Sequence, residues 1–148
     1  MPTSIDNLRE VARRCSAGEP LPAGLSTWLG KSLGEFLSHR QRSIEAALGL
    51  VWPRGGVPWW LEEAMRQRDA ALRELAQRFY GGQAVSRQAA AIYRAALRYA
   101  ASRWHRDRGS EVLPPEHLGT PYEWLWRAFK SGAAMPIGDR QLRHILMR

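Results

Sequence analysis

Apolar residues recur at intervals of three and four along most of this chain, the spacing that puts them on one face of a helix. Ile5, Leu8, Ala12 and Cys15 form a first stripe, with Ser4 placed to cap it and Gly18 with Pro20 to stop it. Leu25, Trp28, Leu29, Leu33, Phe36 and Leu37 predict a second helix, which gives way to the polar run His39-Arg40-Gln41-Arg42. Ser43 can cap a short third helix through Leu48, ended by Gly49. The segment WPRGGVPWW, residues 52–60, carries two prolines and two glycines and predicts a loop. Leu61, Met65, Leu72, Leu75 and Phe79 then predict a long helix that ends at Gly81-Gly82, and its Glu62 and Glu63 suit the positive end of a helix dipole.

Ser86 is placed to cap a second long helix, which the periodicity carries to Arg108 before Gly109. Residues 111–119, with Pro114-Pro115, read as a linker. Thr120, Pro121 and Glu123 then make a helix opening in which Thr120 caps, Pro121 fills the first turn and Glu123 reaches back to the cap. Leu125, Ala128 and Phe129 face inward on that helix, and a last one from Asp139 carries Leu142, Ile145 and Leu146. No stretch alternates with a period of two between turn signals, so no sheet is expected. The expected fold is an all-α compact bundle of about seven helices: a core over 1–110 and, at 111–148, a linker with two short helices docked on it.

A chain of 148 residues can bury enough surface to fold without metals or disulfides. Cys15, the only cysteine, excludes an internal disulfide and fits a reducing compartment; on the first stripe it reads as a buried, inert thiol. No basic-then-apolar leader opens the chain and no run reaches the length of a membrane span, so the expectation is a cytoplasmic protein without a membrane partner. Twenty-two basic against 14 acidic side chains give a net charge of +8, which favours polyanionic partners. Only Lys31 and Lys130 are lysines, a bias that GC-rich coding produces unaided, so the net charge and not the arginine preference carries this inference.

On the expected Ser86–Arg108 helix, Ala89, Ala90, Ile92, Tyr93, Ala96, Leu97, Ala100 and Trp104 share an apolar arc, while Arg87, Arg94, Arg98 and His105 fall near the opposite pole. Guanidinium groups so aligned can lie along phosphates or bond two acceptors of guanine in the major groove; a solvated amphipathic face would have the same pattern. The preceding residues sharpen the reading. LRELAQRFYGGQAVSRQAAAIYRA, from Leu72, resembles the helix-turn-helix of bacterial and phage DNA-binding proteins: Leu75 and Phe79 as first-helix core positions, Ala76 where the helices touch, a glycine turn, Val85 buried after it, and Ala90 and Tyr93 inward on the second helix. Its Tyr80–Ala84 connection reads about four residues longer than the tight turn of that motif.

The resemblance implies a helix-turn-helix-like unit over 59–108, with Ser86, Arg87, Gln88 and Arg94 toward the groove and Arg98, Arg103 and Arg106 on phosphates. The implied protein is a regulator, or a phage or mobile-element factor, that binds double-stranded DNA, and a homodimer on paired half-sites would suit it. The alternative is a helical interaction module that engages a protein or nucleoprotein partner through tryptophan and arginine. Trp52, Arg54, Trp59 and Trp60 could anchor such a partner, stack on unpaired bases, or plug the core where the chain reverses. Of Trp124 and Trp126, about 200° apart on one helix, one at most is expected in the core.

Catalytic patterns do not emerge. His39, His105, His117 and His144 are scattered, no cysteine–histidine metal spacing occurs, and Glu116-His117 reads as a linker pair rather than an acid–base couple. No enzyme activity, metal or cofactor is expected.

Overall fold

The computed structural model describes residues 2–52 and 54–148; Met1, and Pro53 of the expected loop, lie outside the described residues. The described residues form eight α-helices and one 3-10 turn, with no strand. The chain is all-α, as the apolar spacing predicts. It divides into two compact units, Met1–Trp59 and Trp60–Arg148.

The first unit holds α1 (Ser4–Ala17), α2 (Ala23–Leu37) and α3 (Ile44–Ala47). Thr3, not Ser4, caps α1: its hydroxyl accepts the Asp6 N–H while Asp6 accepts the Thr3 N–H at 3.0 Å, a reciprocal pair that satisfies two orphan donors. Gly18 closes the helix in the left-handed conformation. Cys15 is exposed, contrary to expectation. Val11 is the buried residue of α1, while Ala12 and Cys15 of the apolar stripe are exposed; Gly49 brings its backbone against Ser4, where a Cβ would lie 2.9 Å from the serine Oγ. Ser43 caps α3 as its sequence predicts, accepting the Ala46 N–H at 3.1 Å.

The second unit contains all but the first residue of α4 (Trp59–Tyr80), followed by α5 (Val85–Ala101), α6 (Trp104–Asp107), a 3-10 turn at Pro115–His117, α7 (Pro121–Lys130) and α8 (Asp139–Leu146). Leu72 and Leu75 of α4, Ile92 and Tyr99 of α5, Leu125 of α7 and Leu142 of α8 are almost wholly buried in one cluster. Each such aliphatic side chain stabilises the fold by about 1.5–3 kcal/mol. Alanines 71, 76, 89, 96 and 128 fill the remaining core positions, where small side chains let helix backbones approach. α5 lies closest along α8 and also meets α6 and α7. α4 and α5 contribute to the same core.

The long helix expected over Ser86–Arg108 is broken. Ser102 leaves helical geometry at φ −126°, ψ −87°, and its hydroxyl donates back to the Arg98 carbonyl at 2.6 Å. The bend returns Asp107 to the helix it follows, where its buried carboxylate accepts the Tyr99 hydroxyl at 2.9 Å and lies 2.7 Å from His117 Nε2. Since the carboxylate can only accept, the imidazole proton sits on Nε2, and Nδ1 is left buried without a partner. Burial works to raise the Asp107 carboxyl, but the hydrogen bonds from His117 and Tyr99 prevail and hold it below its ordinary value. Burial, then the bond to Asp107, pushes the Tyr99 phenol well above its own. Tyr99 also packs against Trp104, Phe129 and Tyr122.

The expected 111–119 linker therefore contributes a wholly buried histidine to the second unit, and Glu116 turns away toward Arg106 at 3.7 Å. At the start of α7 the capping differs in detail from expectation. Glu123 accepts the N–H of Gly119 at 2.8 Å rather than that of Thr120, and the Thr120 hydroxyl donates to the His117 carbonyl. Trp126 is buried; Trp124 is half-buried, its ring faced by the guanidinium groups of Arg78 and Arg127.

Candidate nucleic-acid interface

The turn before α5 is shorter than its sequence reads. α4 keeps its helix through Tyr80 and α5 starts at Val85, so residues 81–84 alone connect them, the length of a tight helix-turn-helix. Glycine is needed twice here. Gly82 takes φ +85°, and a Cβ on Gly81 would stand 2.7 Å from the Gln77 carbonyl oxygen. Ala84, in extended conformation, accepts the N–H groups of Arg87 and Gln88 at 2.9 and 3.0 Å and takes the capping position expected of Ser86.

Beyond this turn α5 presents Ser86, Arg87, Arg94, Leu97, Arg98 and Ala101 to solvent. At 100° per residue Arg87, Arg94 and Arg98 lie within about 40° of one another and extend over about 16 Å of helix. Among the described residues no ion pair or side-chain hydrogen bond engages the three guanidinium groups. Between them Ala90 and Ala91 keep the surface low, so a flat or concave partner can approach the backbone closely. Leu97, 53% exposed, borders the row.

The remaining predicted residues divide. Gln88 donates its amide to the Tyr80 carbonyl at 2.9 Å and so closes the end of α4. Arg103, past the bend, stacks its guanidinium 4.4 Å over the Tyr122 ring and meets no carboxylate. Arg106 lies 3.4 Å from Asp107 and 3.7 Å from Glu116, which neutralise part of its charge. His105 is exposed on α6, off the α5 row. In the first unit Trp52 and Trp59 are half-buried, Arg54 is exposed, and Trp59 Nε1 donates to Glu45 at 3.5 Å; Trp60 opens the second unit at the surface. The tryptophan segment thus splits across the two units: Trp52, Arg54 and Trp59 fall in one, Trp60 in the other.

Residues 75–106 contain six arginines and no aspartate or glutamate. The acid-free span is longer than α5 and includes its whole exposed face. Sequence reasoning overlooked α8, whose Arg140, Arg143 and His144 line a cavity with Val85 at the start of α5. The signal was present as three basic residues in five positions. Among the described residues no group of three or more His, Cys, Asp or Glu could hold a metal ion, and no helix is long and apolar enough to cross a membrane. No protein-family model, curated protein or solved structure matches the chain.

Proposed function

We propose that this protein binds double-stranded DNA and that α5 is the helix laid against the duplex. The observation that carries the reading is the row of exposed, unpaired Arg87, Arg94 and Arg98 on a helix without acidic residues. Two features support it: the four-residue glycine turn and the low alanine surface between the arginines. A major groove about 12 Å wide admits a helix, and arginines spaced over about 16 Å reach phosphates on both of its walls. Arg87 and Arg94 are placed for base edges or the groove floor, and Arg98 and Arg103 for phosphates.

Each phosphate neutralised releases counterions and steepens the salt dependence by about 0.9 in log–log slope. The two phosphate-facing arginines predict a slope of about −1.8 or steeper, read by fluorescence anisotropy of a labelled 30-base-pair duplex across about 50–200 mM salt. A duplex that does not bind at 50 mM salt, or binds without salt dependence, would end the proposal.

A further inference from the structure

Where α8 packs along α5, Arg140, Arg143 and His144 of α8, with Val85 and Met147, line a cavity of about 230 Å³. All three polar side chains of its lining are basic, no carboxylate lines it, and among the described residues no ion pair or side-chain hydrogen bond engages any of the three. Arg143 is half-buried and its Nε is shielded from solvent without a hydrogen-bond partner among the described residues. The volume is below the roughly 300–1,000 Å³ that holds a whole small molecule and suits one tetrahedral group. Arginine and a neighbouring imidazole recognise such a group by charge-assisted hydrogen bonds.

We propose that this cleft binds a phosphate group and that, in the DNA complex proposed above, it holds a backbone phosphate beside the start of α5. The second part rests on the DNA-binding reading; the first does not. In the complex, α8 is then a second contact element, and Arg140 and Arg143 set the register of α5 on the duplex while the α5 arginines face the groove.

The test uses the full chain in two arms. In the first, inorganic phosphate is titrated at constant ionic strength into ¹⁵N- and ¹³C-labelled protein. Saturable shifts of the Val85 and Ser86 amides and the His144 imidazole are expected, and are expected to vanish in Arg140→Ala/Arg143→Ala. In the second, duplex affinity of that variant is measured against salt, with a log–log slope expected to be shallower by about 1.8, two phosphate contacts. If loss of half-buried Arg143 disturbs the fold, Arg140→Ala/His144→Ala, at two exposed positions, replaces it with the same expected loss of phosphate shifts.

Absent phosphate shifts in the wild type overturn the cleft. Phosphate shifts with an unchanged duplex slope overturn the backbone contact and assign the cleft to a free phosphate compound. A wild type that binds phosphate but no duplex overturns the DNA reading and supports the cleft.

Discussion

Replacing Asp107 by alanine removes the acceptor that holds the end of α5 to the 3-10 turn. Two buried donors, the Tyr99 hydroxyl and His117 Nε2–H, then lose their partner in a place water does not reach. A buried donor left unmade costs about 1–3 kcal/mol, so the two donors together lose about 2–6 kcal/mol. For a folding unit of the size of Trp60–Arg148, about 4–8 °C is lost per kcal/mol, so the midpoint of thermal unfolding should fall by at least about 8 °C, read by near-ultraviolet circular dichroism.

The effect has a pH signature. The folded Asp107 carboxyl lies below its ordinary 3.8, so its contribution is fully present above the unfolded value and is lost as pH falls through the folded one. The gap between wild type and variant should be constant near neutral pH and close below about pH 4. A midpoint lowered by less than about 4 °C at pH 7, equivalent to under about 1 kcal/mol, would refute the view that this network holds α5 in place.

Other expectations follow from the same geometry. Tyr99→Phe leaves Asp107 with His117 and should cost about 1 kcal/mol; in the wild type, one of the four tyrosines should resist ionisation in an ultraviolet titration until the chain unfolds. Gly81→Ala sets a Cβ 2.7 Å from a backbone oxygen and should destabilise the second unit by about 1–3 kcal/mol and weaken duplex binding by shifting the turn, whereas Gln83→Ala, exposed in the same turn, should leave both unchanged. Cys15 should react fully with a thiol reagent in the absence of denaturant, one equivalent per chain, and a thiol that reacts only after unfolding would contradict its exposed position.

Elements built from local signals could be read from the sequence. α2, α3 and α8 lie where their apolar spacing, glycines and caps put them, and the inward residues of α8, Leu142 and Ile145, are the two that are buried. The features that escaped depend on partners distant in sequence. Nothing within Ala101–Arg108 breaks a helical pattern, since no glycine or proline occurs there; the helix bends because Asp107 gains Tyr99 and His117 by turning back. His117 sits between prolines and Gly119, which mark irregular backbone but say nothing of burial. On α1 the stripe residues Ala12 and Cys15 are exposed and Val11 is buried, which the apolar spacing did not show. In the interface, the arginine row on α5 was visible from periodicity alone. The use of Gln88 to close α4, the pairing of Arg106 with acids on either side, and the basic lining contributed by α8 required the packing.

The central claim is that α5 meets the duplex through its unpaired arginines, and Arg94→Glu/Arg98→Glu tests it most directly. Both side chains are exposed and unpaired, so the variant should unfold at the wild-type temperature. Its anisotropy titration against the labelled duplex at about 50 mM salt should show binding lost, or weakened at least a hundredfold with a slope shallower by about 0.9. A folded variant that keeps wild-type affinity and slope would place the DNA contact elsewhere and contradict the account.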